Sequence, residues 1–195
     1  PQRKIGYINL KYHMVYESAG DIWHCSSTDS GATWSREFMV SDGSGKNRQP
    51  SIALSQYWSS GGPIVTIVWA RKDQELMDIL VRRLGNTGTW GSIENVGFNS
   101  CDSGFDEAYP AVAMEDDFEV VAYKNVRTDE WSPTGIIVWT NAEEVGPVDG
   151  TEASSGHPSV AVPAFQQSKG IFGLAWSQEG EIKYKRYWDC GRRSS

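Results

Sequence analysis

The sequence predicts an all-β protein, a β-propeller of about four four-stranded antiparallel blades, and three observations lead there. First, four apolar runs each end in an aromatic residue: Tyr12 to Tyr16, Val65 to Trp69, Glu119 to Tyr123 and Phe172 to Trp176. Their closing aromatics Tyr16, Trp69, Tyr123 and Trp176 are separated by 53, 54 and 53 residues. A fixed period of this length marks repeat architectures. Second, a Pro-led apolar segment precedes three of the runs in constant phase: Pro50 to Leu54, Pro110 to Met114 and Pro158 to Val162. Lys4-Ile5-Gly6-Tyr7 is a weaker copy in the first repeat. Third, nine Trp and 20 Gly among 195 residues favour strands joined by tight turns.

Each unit reads as a meander. The Pro-led segment is its first strand, since proline is tolerated where a strand opens and its N–H is not yet needed. The aromatic-closed run is the second strand. The third is Asp21 to Cys25, Asp78 to Arg82, Gly135 to Trp139 and Glu181 to Lys185. A fourth follows at Trp34 to Val40, at Trp90 to Val96 and, more weakly, at Val145 to Val148; the last repeat has none before Ser195. A meander of about fifty residues cannot bury both faces alone, whereas blades stacked around an axis bury both. A sandwich or jelly roll would not call for a fixed period. The repeats run over 1–47, 48–107, 108–155 and 156–195 of a single domain, which leaves the ring either closed within the chain, partial, or completed by an oligomer.

Composition narrows the function. The formal charge of −7, with no basic run, disfavours nucleic acid as a partner. No segment approaches the roughly 20 apolar residues of a membrane helix, so membrane insertion is not expected. Three cysteines, Cys25, Cys101 and Cys190, leave at least one without an intrachain partner and show no C-x-x-C spacing. His13, His24 and His157 lack metal-ligand spacing, and Glu115-Asp116-Asp117 reads as a solvated hairpin, so no metal is expected. With no phosphate loop and no G-x-S-x-G turn, no cofactor is expected either.

Ser27-Thr28-Asp29-Ser30-Gly31-Ala32-Thr33-Trp34 fits S-x-D-x-G-x-T-W at every defined position. The motif resembles the Asp box of the sialidase-like (BNR) propeller superfamily and falls, as there, between the third and fourth strands of a blade. Ser27, Asp29, Gly31 and Trp34 are then structural: Asp29 takes turn N–H groups, Gly31 supplies φ > 0, and Trp34 opens the next strand with a large buried face. Asn86-Thr87-Gly88-Thr89-Trp90 is similar but one residue shorter.

The resemblance also implies where an active site would lie. Sialidases grip a substrate carboxylate with three arginines, use an Asp as general acid and a Tyr–Glu pair as nucleophile. Arg48-Gln49-Pro50 resembles the Arg-x-Pro stretch that opens a blade, and Trp69-Ala70-Arg71-Lys72-Asp73 the stretch carrying a second arginine and the acid. Arg48 would then hold the carboxylate, Arg71 would assist, and Asp73 or Asp78 would be the acid. Arg127 and Arg186 are the remaining candidates for a third arginine, and Tyr184 or Tyr187 with Glu179 or Glu181 for the nucleophile pair. This block lies in the second repeat here and in the first blade of the family. Trp58, Trp131 and Trp188 fall outside the repeat core and suit stacking on sugars or anchoring a protein. The expected function is therefore a non-catalytic carbohydrate- or protein-binding propeller module, using the face built from the loops before each Pro. The alternative is a sialidase-like exo-glycoside hydrolase acting on sialylated or related acidic glycans. Either reading implies a secreted or extracellular protein, although no signal peptide opens the sequence as given.

Overall fold

The computed structural model describes residues 4–55, 63–73, 76–97, 107–115, 118–125, 135–141, 144–152, 155–163 and 171–187. The first blade holds β1 (Ile5–Ile8), β2 (Lys11–Ser18), β3 (Asp21–Ser27) and β4 (Phe38–Met39); the second holds β5 (Asn47–Leu54), β6 (Pro63–Asp73), β7 (Leu76–Gly85) and β8 (Glu94–Asn95). The third holds β9 (Glu107–Glu115), β10 (Phe118–Asn125), β11 (Gly135–Thr140) and β12 (Glu144–Pro147); the fourth holds β13 (Ser159–Ala161), β14 (Phe172–Gln178) and β15 (Glu181–Tyr187). Strand order in each sheet is sequence order and all pairings are antiparallel. The chain is thus an all-β propeller array of three four-stranded blades and one that is three-stranded among the described residues. None of these residues forms a helix long and apolar enough to cross a membrane.

Alternation along each strand gives every blade two apolar faces. One face, here called leading, carries the closing aromatic and looks toward the preceding blade. The other, trailing, looks toward the next. Ile52, Val65, Ile67, Trp69 and Leu80 on the leading face of blade two pack on Val15 and Ile22 of blade one. Val112, Val121, Tyr123 and Ile137 of blade three pack on Ala53, Val68, Ala70 and Ile79 of blade two. Val160, Phe172, Leu174 and Trp176 of blade four pack on Ala111, Ala122, Ile136 and Val138 of blade three. Large leading residues therefore meet trailing faces rich in alanine in the last two joints, a size match that lets facing sheets interdigitate.

Two polar contacts are built into these joints. Glu119 on the leading face of blade three is buried; the Arg83 guanidinium of blade two donates to it from Nε at 2.9 Å and from Nη2 at 2.6 Å, and Thr66 Oγ1 donates to it as well. Burial opposes charge on Arg83, but hydrogen bonds and the charges of Glu119 and Glu94 raise its pKa. On the trailing face of blade one, His13 Nδ1 and His24 Nε2 lie 3.0 Å apart, both buried, with His24 edge-on to Trp90 of blade two. Burial, followed by the Lys11 charge, brings His13 down to about 4; burial, followed by His13 and Lys11, does the same for His24. Because the folded values lie below the ordinary 6.5, the neutral pair stabilises the fold above pH 6.5, and that contribution is lost as pH falls toward 4. Stability is expected to drop by roughly 1–3 kcal/mol for the pair between pH 6.5 and 5. Urea midpoints at the two pH values check this, and His24→Asn should remove a substantial part of the difference.

The turn after β3 has the hydrogen bonds its residues suggest. The Asp29 carboxylate accepts from Thr33 Oγ1 at 2.5 Å, from Thr33 N at 2.8 Å and from Ser27 Oγ at 2.7 Å, while Ser27 Oγ accepts from Gly31 N at 2.9 Å. The Thr33 hydroxyl, then its N–H and the Ser27 hydroxyl, hold Asp29 at about 2. Gly31 sits at φ 88°, where a side chain would be strained. Two expectations about this region fail. Trp34 does not provide a buried face but is 37% exposed, and the fourth strands shrink to Phe38–Met39 and Glu94–Asn95. The cause is visible in blade two. Trp90 bridges back to Leu84 and its ring stacks on Phe38 of blade one at 5.2 Å, while the Arg82 side chain donates to Gly91 O of its own blade and to Val40 O of blade one, so a ring and a guanidinium fill the joint between blades where regular pairing lapses. The ladders resume at Val40 N, Val96 N and Val148 N, which donate to Ile22 O, Ile79 O and Ile136 O. Cys25 is a buried free thiol; Cys101 and Cys190 lie outside the described residues.

Candidate functional site

The Pro that opens each first strand does more than start it. In β5 the ladder steps from Arg48↔Ala70 to Ser51↔Val68, so Gln49 and Pro50 together oppose the single residue Trp69. In β9 it steps from Ala108↔Lys124 to Ala111↔Ala122, so Tyr109 and Pro110 oppose Tyr123. In blade four Gly156 N donates to Ser177 O at 2.6 Å and Ser159 pairs with Ala175, which places His157 and Pro158 opposite Trp176. Each closing aromatic of the last three blades therefore faces a bulge, and bulges re-aim side chains. Gln49 and Tyr109 are in the left-handed region at φ 58° and 57°. Proline disfavours helical conformations in the residue before it, and left-handed non-glycine residues cost about 1–3 kcal/mol each, so these two positions store strain.

The re-aimed residues meet across blades. Gln49 N donates to Glu17 of blade one at 3.1 Å, Tyr109 N of blade three donates to Gln49 Oε1 at 2.9 Å, and the Tyr109 ring stacks on His157 of blade four with centroids 3.6 Å apart at 16°. One residue from each blade thus forms a continuous line across one end of the propeller. Burial, followed by nearby positive charge that includes Lys124, lowers the pKa of His157 and favours a neutral ring.

Beside this line lies a carboxylate-rich cluster between blades one and two. Asn47 Nδ2 donates to Asp21 and Asp42 at 3.0 Å each, and its Oδ1 accepts the Trp69 indole N–H at 2.8 Å. Arg71 pairs with Asp78 at 3.2 Å and with Asp42 at 3.4 Å. Burial acts to raise the Asp42 pKa, but hydrogen bonds from Asn47 and Ser44 and the Arg71 charge hold it at about 2. Arg71 Nε is buried and has no hydrogen-bond partner among the described residues. The loop that supplies Asp42 and Ser44 is seated by Asn47 N donating to Gly20 O at 2.7 Å. Gly20 has φ 79°, and a Cβ there would stand 2.2 Å from Gly45 O, so glycine is required.

Placed on this frame, the residues singled out from sequence separate into groups. Arg71 and Asp78 are directly paired on β6 and β7, on the leading face of blade two. Arg48 is opposite Ala70, one position along, and so points from the trailing face, where it donates to Met77 Sδ. The two arginines do not converge. Asp73 closes β6 opposite Leu76. Tyr184 and Tyr187 are on opposite faces of blade four, Tyr184 exposed and Tyr187 stacked on Phe172 at 4.4 Å. A Tyr–Glu contact does occur elsewhere: Tyr16 OH donates to Glu37, and burial followed by that contact pushes the phenol up to about 12, away from activation. Trp58, Trp131, Trp188 and Arg127 lie outside the described residues. Sequence reasoning missed Gln49 and Tyr109, although their recurrence before the phased prolines was a usable signal.

No protein-family model matches the chain, and no curated protein matches it in sequence. Among solved structures, 95% of the chain is similar to a GH43 endo-arabinanase from Bacillus licheniformis, at 14% identity and TM-score 0.47, over 73% of that chain. It is likewise similar over 95% of its length to a xylan β-1,4-xylosidase from Bacillus halodurans C-125, at 16% identity and TM-score 0.48, over only 39% of that chain. An exo-1,5-α-L-arabinanase from a bovine ruminal metagenomic library matches over 93% of this chain and 72% of its own, at 12% identity and TM-score 0.47. At these identities the likeness is one of overall architecture and transfers no activity.

Proposed function

We propose that the chain is a non-catalytic propeller module that binds glycan on the end carrying Glu17, Gln49, Tyr109 and His157. The observation that supports this reading is the cross-blade line itself: the stacked rings of Tyr109 and His157 beside the Gln49 amide and the Glu17 carboxylate. Sugars are recognised by that combination, an aromatic face for the C–H side of the ring and fixed polar groups for the hydroxyls. The charge balance favours neutral sugars. Arg71 is already matched by Asp42 and Asp78, and Arg48 points from the other face of the blade, so no free arginine cluster awaits a carboxylate among the described residues.

The test is a glycan array followed by titration calorimetry on the best ligand. Tyr109→Ala is expected to weaken binding about 10-fold through loss of the ring contact. Unchanged affinity in Tyr109→Ala would remove the site. The second reading, a sialidase-like hydrolase of acidic glycans using Arg48, Arg71 and Asp73 or Asp78, draws on the side-by-side Arg71 and Asp78 with Asp73 at the strand end. Fluorogenic sialosides and arabinosides decide between the two. Turnover that disappears in Arg71→Ala would replace the binding module by an enzyme.

A further inference from the structure

Positions in the first three strands of a blade have four copies, and comparing their burial isolates two residues. Ile22, Ile79, Ile136 and Ile182 occupy equivalent positions in the third strands, on trailing faces. The first three are fully buried by the next blade, whereas Ile182 is 77% exposed. On the leading faces, Ile52, Val112 and Val160 are buried, and their counterpart Ile5 is 49% exposed. The closing aromatics repeat the pattern: Trp69, Tyr123 and Trp176 are buried, and Tyr16 is only half-buried. Three hydrophobic clusters join blades one to two, two to three and three to four, and among the described residues none joins four to one.

The two uncovered faces match in kind. Blade one presents Ile5, Tyr7, Tyr12, Met14 and Tyr16, the large half of a joint. Blade four presents a shallow groove of about 360 Å³ whose trailing-face lining is the small residues Ser159, Ala161, Gly173 and Ala175 with Tyr184, whose ring lies over Gly173, and Arg186. Blade three offers blade four the same kind of surface, with Ala111, Ala113 and Ala122 under Phe172 and Leu174.

We infer that the uncovered leading face of blade one docks on the uncovered trailing face of blade four of a second copy of this chain. One chain carries both halves of a joint that it already makes three times within itself, and the contact is heterologous, head to tail. Two copies joined at both ends form a closed ring; joined at one end they form a chain that can extend. Docking would cover Ile5 and Ile182, whose exposure otherwise goes against the burial of their repeat partners. The inference stands apart from what the axial end binds.

Light scattering on the 195-residue chain across a micromolar dilution series tests it. The expected mass is at least twice 21.7 kDa at the upper concentrations. Ile5→Asp and Ile182→Asp each change a residue that is exposed in the single chain, so folding is preserved, which circular dichroism verifies. Each variant alone should lose the closed ring, and mixing the two should yield a one-to-one heterodimer, because each retains the face that the other lacks. A monomer at every concentration overturns the inference. So does association that both substitutions leave untouched, or a mixture of the two variants that remains monomeric.

Discussion

Glu119→Ala is expected to destabilise the protein by about 3–5 kcal/mol, the usual cost of stranding one partner of a buried ion pair. Glu119 is the acceptor for Arg83 Nε and Nη2 and for Thr66 Oγ1, so three donors on blade two lose their partner at once. Arg83 keeps Glu94 at 2.8 Å, but that carboxylate is half in solvent and lies at the end of blade two itself. Glu94 therefore cannot replace a contact that spans two blades. Glu119→Gln should cost less, since its amide oxygen still accepts one of the guanidinium hydrogens while the charge attraction is gone. Urea denaturation of the parent and both variants measures the ordering. Equal stability of Glu119→Ala and the parent would mean that the joint between blades two and three depends on its apolar contacts alone.

Trp69→Ala is expected to cost a similar 3–5 kcal/mol. Trp69 is fully buried at the centre of the joint between blades one and two, against Val15 and Ile22. Removing the indole leaves a cavity in a sheet-on-sheet contact that cannot collapse without moving a whole blade. It also frees Asn47 Oδ1, which accepts the indole N–H at 2.8 Å while Asn47 Nδ2 holds Asp21 and Asp42. The substitution should therefore be felt at the candidate site as well as in stability. Trp69→Phe separates the two effects: it fills most of the cavity but cannot donate, so a variant close to the parent in stability with weakened glycan binding would trace the loss to Asn47 and the Asp42 loop. Thermal melts and calorimetry on both variants provide the comparison.

These two residues illustrate different degrees of legibility. Trp69 announces itself in the sequence as one of four phased aromatics, and its burial follows from the repeat. Glu119 does not. It opens an otherwise ordinary apolar run, and its partner Arg83 lies 36 residues away in another blade. Nothing local distinguishes it from a solvated strand residue. The Asp29 turn was readable for the same reason as Trp69, because serine, aspartate and glycine at fixed offsets satisfy backbone groups within a few residues. Trp34, inside that same motif, was not, since whether a ring after a turn is buried depends on the neighbouring blade, and here Trp90 of blade two occupies the place against Phe38.

The candidate site divides along the same line. The phased prolines that mark the first strands were visible. The convergence of Gln49, Tyr109 and His157 was not, because it requires the one-residue bulge opposite the closing aromatics of the last three blades, which reverses the orientation that simple strand alternation would assign. Arg48 and Arg71 looked like neighbours by motif, and the strand register sends them to opposite faces. By itself the sequence determined the number of blades, the order of their strands and the chemistry of their turns, since these follow from periodicity and from hydrogen bonds made within a few residues. Only the tertiary structure decided which side chains meet across blades and which blade faces stay uncovered, because those depend on bulges and on packing between segments about fifty residues apart.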